Sequence, residues 1–233
     1  DGVSSWSDRS TNSNAGTPAG SPDTILLPEG TTTGKDILGF PLTHTNNGWL
    51  NLDGSEYVDV GDNDLMSFGN SVGDKPFSVE AWVKMDDATS FPIISKGLYN
   101  TDLEWILWTA SDDKLYFVTA DESVADCYIG RGYNTTLTSL ENTWIHIVGT
   151  YDASGASSGM NIYLNGNSSA VDDINDQSNE GSYVAMENLA NEVWIGRYGT
   201  TYAKGQIDEV KIYNKVLSTT EITKNYKHGK GKH

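Results

Sequence analysis

The segment KGQIDEVKIYN, residues 204–214, alternates apolar and polar side chains in the way of a β-strand with one buried face. Because successive side chains of a strand point to opposite faces, regular alternation places Asp208, Val210 and Ile212 on the same face. That face is apolar apart from Asp208, and a buried carboxylate is costly unless it is hydrogen-bonded, paired or bound to a cation. The segment therefore predicts a strand whose acid needs a partner.

Strand-like segments fill the chain from residue 48 up to this one. They are WLNLDGSEYVDV, FSVEAWVKM, FPIISKG, EWILWTA, KLYFVTA, CYIGRGY, WIHIVGTYD, MNIYLNG and EVWIGRYG. They are rich in Val, Ile, Tyr and Trp, and turns such as Asp53-Gly54 and Asn165-Gly166 interrupt the pattern. Many strands without crossover helices predict an all-β fold, an antiparallel two-sheet jelly-roll sandwich.

One segment has the pattern of a helix, LSTTEITKNYK at residues 217–227. Ser218 or Thr219 is suited to cap a short C-terminal helix, with Glu221 in its first turn. Residues 1–47 are rich in Ser, Thr, Asn, Gly and Pro, which predicts a loop-rich N-terminal arm packing on the domain. We expect the domain itself at residues 48–223, followed by a basic tail at residues 224–233.

The composition argues against several classes of function. The chain has 32 acidic and 15 basic residues among 233, a formal charge of −17, which argues against a nucleic-acid-binding surface. The single Cys127 excludes an intrachain disulfide and every cysteine-rich zinc site. No apolar run approaches the roughly 18 residues of a membrane span, so we expect no membrane insertion. The Ser/Asn-rich start at Asp1 favours a piece of a larger protein or assembly.

Three segments resemble a known family in the order in which they occur. FSVEAWVKM, TWIHIVGTYDASGASSGMNIYLNGN and EVWIGRYGTTYAKGQIDEVKIYNKVLSTTEI are similar to laminin-G-like domains of the concanavalin A-like lectin and glucanase superfamily, which also contains the pentraxins. The resemblance covers residues 48–223. It implies a secreted or surface-exposed jelly roll. Members of the family mostly bind glycans or proteins, and many of them hold calcium.

The resemblance gives Asp208 a specific role as a ligand of a structural Ca²⁺ ion that ties the closing strand to the first one. Asp53 and Gly54, in the first strand's turn, are the expected partners because calcium combines carboxylate with carbonyl oxygens. The alternative is that backbone amides or a lysine satisfy Asp208 without a metal. Two further groups of acids fit solvated turns better than calcium loops. The first group is Asp59, Asp62 and Asp64, and the second is Asp172, Asp173 and Asp176.

Two sets of residues are predicted to contact a ligand. Trp82 lies on the more polar face of FSVEAWVKM, where it either stacks on a sugar ring or packs beneath a covering segment. The related stretches YIGRGYNTT and WIGRYGTTY each place an Arg and a Tyr at a strand end. These edge-of-sheet contacts are Arg131, Tyr133, Arg197, Tyr198 and Tyr202, although an Arg at a strand end also pairs readily with a local acid.

The sequence argues against an enzyme. Glycoside hydrolases of this superfamily carry paired carboxylates in a Glu-x-Asp-x-x-Glu pattern, whereas Glu80 and Glu104 each lack an acid two residues later. We therefore predict a non-catalytic, calcium-stabilised carbohydrate-binding module of the lectin type. The alternative is a protein-interaction or structural domain of an extracellular assembly, such as a virion or tail decoration protein. The expected partner is a glycan or an extracellular protein.

Overall fold

The computed structural model of the protein describes residues 48–167 and 169–233, together with the backbone of four short strands nearer the N terminus. Those four are β1 (Thr17–Ala19), β2 (Asp23–Ile25), β3 (Thr31–Lys35) and β4 (Pro41–Thr45). The predicted loop-rich arm, residues 1–47, lies otherwise outside the described residues. Its boundary stays a prediction, but β1 and β2 each pair with a strand of the domain.

Fourteen further strands follow. They are β5 (Trp49–Asp53), β6 (Tyr57–Gly61), β7 (Phe77–Met85), β8 (Pro92–Lys96), β9 (Trp105–Thr109), β10 (Leu115–Ala120), β11 (Tyr128–Gly132), β12 (Ile145–Tyr151), β13 (Met160–Leu164), β14 (Ile174–Asn175), β15 (Val193–Ile195), β16 (Arg197–Tyr198), β17 (Thr201–Tyr202) and β18 (Lys204–Tyr213). Short 3₁₀ helices occur at Asp64–Met66, Thr138–Leu140, Ser157–Gly159 and Glu180–Ser182. Every predicted strand segment therefore forms a strand or a pair of strands.

Two antiparallel sheets make the sandwich. One has eight strands in the order β1-β6-β15-β8-β9-β10-β11-β14, and the other has six in the order β13-β12-β7-β18-β5-β2. The alternate residues of β7 and β10 that point inward are fully buried, among them Phe77, Val79 and Phe117. The ring of Phe77 lies 5.5 Å from that of Phe117, so the two sheets meet in one aromatic and aliphatic core. This confirms the predicted jelly-roll sandwich.

The C-terminal helix α1 (Thr219–Gly229) begins where the sequence predicts. The Ser218 side chain accepts a hydrogen bond from the Glu221 backbone N–H, and the Glu221 carboxylate accepts one from the Ser218 N–H, which together form a capping box. Ile222 packs with Val148 and Leu217 in a small buried cluster. Val148 is paired with Glu80, so α1 lies on the outward face of the six-stranded sheet, which we call the helix-covered face.

The predicted basic tail, residues 224–233, overlaps helix α1, which continues to Gly229, and its last residues also pack on the domain. The Lys232 ammonium group contacts the Glu209 carboxylate. The His233 ring lies 4.8 Å from the ring of Trp82. Lys232 thus supplies the cation that the largely buried Glu209 carboxylate requires. His233 instead packs on an aromatic ring of the sheet.

The strand β18 departs from regular alternation where the sequence places its acid. Asp208 is paired with Trp82, but the next pair in register is Lys211 with Glu80, so a bulge lies between Asp208 and Lys211. Glu209, within the bulge, has a φ of 51°, outside the usual strand region. The bulge moves Asp208 to the helix-covered face beside Trp82. The sequence-based interpretation of Asp208 as an acid on the apolar face is therefore wrong.

Candidate ligand-binding face

The six-stranded sheet buries the first predicted ligand contact. Trp82 is 3% exposed and lies under α1, where its ring stacks on Tyr226 at 5.5 Å with an angle of 13° between the planes. His146 and His233 contact the same indole, at 5.2 Å and 4.8 Å between ring centroids. Of the two alternatives for Trp82, the structure shows packing beneath a covering segment, so its ring is not accessible to a sugar.

Arg131 and Tyr133 also serve the structure and not an open surface. The Arg131 Nε donates to Asp172 Oδ2 at 2.8 Å, and its terminal nitrogens contact Asn175 Oδ1 and the Asp172 carbonyl. Arg131 thus fixes the segment that follows β13 to the end of β11. Tyr133 packs against the main core. The strand-end Arg pairs with a local acid, as the alternative interpretation expected.

The predicted calcium ligands are not brought together. Asp53 is paired with Lys204, four residues from Asp208, which corresponds to about 13 Å along the strand. Gly54 follows Asp53 in the same turn, and Asp53 Oδ1 accepts hydrogen bonds from Ser55 N and Oγ at 2.9 and 2.7 Å. An ion whose ligand distances are about 2.4 Å does not span such a separation. Asp208, Asp53 and Gly54 therefore do not form one site.

The surroundings of Asp208 fit calcium poorly. Its Oδ1 accepts from the Glu209 N–H at 2.8 Å, and its Oδ2 lies 3.3 Å from His233 Nε2. Calcium takes six to eight oxygen ligands, whereas these two neighbours offer nitrogen. Within residues 48–233, apart from 168, no group of three or more His, Cys, Asp and Glu is arranged to hold a metal ion. Calcium binding remains a prediction from the resemblance.

The two other acidic groups are spread over separate partners. Asp59 accepts from the Gly61 N–H, Asp62 pairs with Lys96 at 2.7 Å, and Asp64 accepts from the Asn188 amide at 3.3 Å. In the second group, Asp172 pairs with Arg131, Asp173 accepts from the Asn134 N–H, and Asp176 contacts the Tyr128 hydroxyl at 3.1 Å. Each acid therefore has its own role in holding a turn or a loop.

The outward face of the eight-stranded sheet carries a group of aromatic side chains, of which the sequence analysis selected Tyr198 alone. We call it the aromatic face, and it consists of Tyr99, Trp108, Tyr116, Tyr128 and Tyr198. These five half-buried side chains pack on a buried apolar floor formed by Leu103, Ile106, Val118 and Ala120. Because part of each ring remains exposed, the face offers π-surfaces to a ligand.

The strand register explains this arrangement. Trp108 on β9 is paired with Tyr116 on β10, which is paired with Gly132 on β11. A Cβ atom at Gly132 would lie 2.5 Å from the Tyr116 ring, so the glycine lets that ring lie flat across the sheet. Gly130, paired with Val118, leaves similar space in the next row. Tyr128 is thus the side chain that β11 contributes to the aromatic face, and the two glycines of CYIGRGY leave room for the neighbouring side chains of β10.

Hydrogen bonds and ring contacts fix the aromatic side chains. The Tyr116 hydroxyl donates to Asp112 Oδ2 at 2.9 Å, and the Tyr128 hydroxyl lies 3.1 Å from Asp176 Oδ1. Burial, together with the charge of Asp176, raises the pKa of Tyr128 to about 12, so this hydroxyl stays protonated as a donor. The ring of Trp108 lies 5.2 Å from that of Tyr198. Fixed rings and rim carboxylates are present before any ligand arrives.

The hairpin β16–β17 extends this face toward β6. It carries three of the residues predicted from the sequence, and the structure brings them together. Tyr198 belongs to the aromatic face, while Arg197 and Tyr202 pack with Tyr57 and Trp194. The hairpin is anchored on the sheet because the Ser95 hydroxyl donates to the Arg197 carbonyl at 2.9 Å. Arg197, Tyr198 and Tyr202 therefore lie on the exposed side of the sandwich, as an edge-of-sheet ligand contact requires.

Comparison with known families agrees with this architecture. A family model described as the concanavalin A-like lectin/glucanases superfamily, of the laminin G type, matches residues 52–223. The chain belongs to this superfamily. No curated protein matches it. None of the helices in the described part of this superfamily domain is long and apolar enough to cross a membrane.

Solved structures with this fold include receptor-binding domains of neurotoxins. The binding domain of botulinum neurotoxin serotype G is 16% identical, with a TM-score of 0.60 over 98% of this chain and 51% of that one. Domain 4 of AbnA, an extracellular GH43 arabinanase from Geobacillus stearothermophilus, was solved with arabinotriose and is 18% identical, with a TM-score of 0.54 over 90% of this chain and 86% of that one. The chain spans about half the length of the neurotoxin binding domains it matches. At these identities the likeness concerns the fold alone.

Proposed function

We propose that this domain is a non-catalytic glycan-binding module of a secreted or surface-exposed protein, and that the glycan lies on the aromatic face. The observation that carries the proposal is the row of half-exposed rings on the outward side of the eight-stranded sheet. The opposite outward face is closed by α1, whereas this one presents fixed aromatic surface. Aromatic rings suit the apolar side of a sugar ring, and nearby polar groups orient it.

The polar groups at the rim of the aromatic face match sugar hydroxyls. Asp112 is exposed and Asp176 is half-buried, and each already holds a tyrosine hydroxyl. A carboxylate has two oxygens with about four acceptor positions, so each retains capacity for hydroxyl donors of a ligand. Rings for stacking and carboxylates for hydroxyl groups together form a surface suited to an oligosaccharide.

The strand glutamates support a non-catalytic role. Glu80 is fully buried and lies 3.0 Å from the Lys211 ammonium, and Glu104 is fully buried at 3.4 Å from that of Lys96. A retaining or inverting glycosidase needs two carboxyl groups that face the scissile bond together. Two glutamates held in separate buried ion pairs do not meet this requirement. The secreted or surface setting is supported by relatives whose names describe receptor binding and an extracellular arabinanase.

A glycan array with the variant Trp108→Ala tests the proposal. We expect the unchanged protein to bind a defined set of glycans and Trp108→Ala to lose at least about 10-fold in affinity, because one stacking surface is removed from the centre of the face. Tyr163→Ala is the matched control, since Tyr163 is half-buried and packs in the small cluster beneath α1. Silence across the array, with self-association in solution, would replace this proposal with the protein-interaction alternative.

Calcium dependence is tested separately, by thermal melting with added Ca²⁺ and with chelator. The prediction from the resemblance is a higher melting temperature with Ca²⁺, lost in Asp208→Asn. The amide keeps the shape of the side chain and removes its charge, and calcium sites depend on ligand charge. Equal melting curves with Ca²⁺ and with chelator in the unchanged protein would remove calcium from the proposed function and leave the glycan-binding part standing.

A further inference from the structure

Arg197 lies among three aromatic rings beside the aromatic face. Its guanidinium carbon is 4.1 Å from the ring centroid of Trp194, 4.5 Å from that of Tyr57 and 5.5 Å from that of Tyr202. We call Arg197 and these three rings the arginine box. A cation is attracted to the face of an aromatic ring, so these contacts hold the guanidinium group in a fixed position.

No acid among the described residues balances the charge of Arg197. In a chain of net charge −17, no described carboxylate lies within salt-bridge distance of its guanidinium group. Its Nε donates to the Gly199 carbonyl at 2.8 Å, within the same hairpin. No described residue accepts a hydrogen bond from its two terminal nitrogens. Arg131 differs, because all three of its nitrogens contact the segment of Asp172 and Asn175.

A second donor in the arginine box is also without an acceptor. The indole Nε1 of Trp194 is buried and has no hydrogen-bond partner among the described residues. The indole nitrogens of Trp49 and Trp82 are unpaired in the same way, so the observation that points to an acceptor from another molecule is the half-buried guanidinium of Arg197. A planar guanidinium with free terminal nitrogens matches the two oxygens of a carboxylate, or those of a sulfate group.

We propose that the arginine box is an oxyanion subsite that takes the carboxylate or sulfate group of an acidic glycan. The proposal rests on the function proposed above and extends it to the class of sugar. Trp194 on β15 is separated from Trp108 on β9 by β8 alone, which corresponds to about 10 Å across the sheet. One oligosaccharide that reaches both would stack on the aromatic face and place its acidic group at Arg197.

The test uses pairs of array glycans that differ in the acidic group alone. Suitable pairs are uronic-acid oligosaccharides with their carboxyl-reduced forms, sialylated with desialylated chains, and sulfated with desulfated chains. We expect the protein to bind the acidic member of a pair at least about 10-fold more tightly, which a charge-assisted bidentate contact readily provides. The pair that shows this preference identifies the group as a carboxylate or a sulfate.

Two variants separate this proposal from the proposed function. We expect Arg197→Met to bind both members of a pair equally and Arg197→Lys to keep part of the preference, because lysine retains the charge without the planar fork. We expect Trp108→Ala to weaken both members together. Raising the salt concentration should reduce the preference in the unchanged protein but not in Arg197→Met.

The outcomes that overturn the two proposals differ. Binding that depends on Trp108 without preference for the acidic member, or a preference that survives in Arg197→Met, would overturn the oxyanion subsite and leave the glycan-binding function intact. Absence of binding to every glycan would overturn both. Circular dichroism and thermal melting establish that each variant is folded before its binding is compared.

Discussion

Replacing Glu80 with Gln is expected to lower the free energy of unfolding by about 3 kcal/mol at pH 7, the typical cost of removing one charge from a buried ion pair. The Glu80 side chain is fully buried, with Lys211 Nζ at 3.0 Å from its Oε1 and Asn225 Nδ2 at 2.6 Å from its Oε2. Asn225 belongs to α1, so this carboxylate joins the helix to the sheet. For a domain of this size we expect the melting temperature to fall by about 6–12 °C.

The stability cost of Glu80→Gln should depend on pH in a definite direction. Burial by itself raises the pKa of Glu80, but the contacts with His146 and Lys211 outweigh it and lower the pKa to about 2. A carboxyl whose pKa is lowered in the folded state stabilises the protein above its ordinary pKa and loses that contribution as the pH falls. The stability difference between the unchanged protein and Glu80→Gln should therefore be full at pH 7 and shrink to about half by pH 3.

Urea unfolding between pH 3 and pH 7 measures the free-energy cost of Glu80→Gln and its dependence on pH. Glu192→Gln is the matched control, because it makes the same chemical change at an exposed position and should stay within about 0.5 kcal/mol of the unchanged protein. A cost below about 1 kcal/mol for Glu80→Gln, or a cost that does not depend on pH, would show that the Glu80 carboxylate does not stabilise the contact between α1 and the sheet.

The strands and the helix were predictable because they depend on local patterns. Alternation marked the segments, Asn165-Gly166 marked the turn that ends β13, and Ser218 with Glu221 marked the start of α1. The bulge in β18 was not predictable from alternation, because the pattern IDEVKI is compatible with a regular strand. An inserted residue reverses the face of everything beyond it, so Asp208 was placed on the wrong side of the sheet.

The ligand face was predictable in part. The hairpin residues Arg197, Tyr198 and Tyr202 were selected from the strand-end pattern and do lie at the aromatic face or beside it. Trp108 and Tyr116 were missed because the segments EWILWTA and KLYFVTA are apolar on both faces, so the core side and the outward side look alike. Trp82 was ambiguous because it lies on the more polar face of its strand, while the helix that covers it lies more than a hundred residues away in the sequence. Only the packing of the two sheets and α1 separates these cases.

Replacing Lys96 with Met is expected to destabilise the domain by about 4 kcal/mol, because it leaves a buried carboxylate without its cation. Lys96 is fully buried, and its ammonium group donates to Asp62 Oδ1 at 2.7 Å and to the Asn191 carbonyl at 2.6 Å. It also lies 3.4 Å from Glu104 Oε1. The ammonium group thus joins the end of β8 to the turn after β6, to β9 and to the segment that precedes β15.

The destabilisation caused by Lys96→Met should be greater at high pH than at low pH. Burial raises the pKa of Glu104 to about 7, even though the charge of Lys96 opposes this effect. A carboxyl with a raised pKa in the folded state contributes stability below its ordinary pKa and loses that contribution as the pH rises through the folded value. Without the ammonium group the pKa of Glu104 rises further, so Lys96→Met should be closer to the unchanged protein at pH 5 than at pH 8.

Urea unfolding at pH 5 and pH 8 measures this difference, with Lys75→Met as the control at an exposed lysine. A double-mutant cycle with Glu104→Gln then isolates the pair. We expect Lys96→Met with Glu104→Gln to cost at least about 1 kcal/mol less than the sum of the two single variants, because the double variant no longer buries the Glu104 carboxylate without its cation. Additive costs would mean that Lys96 stabilises the domain through Asp62 and the Asn191 carbonyl, and that Glu104 is not coupled to it.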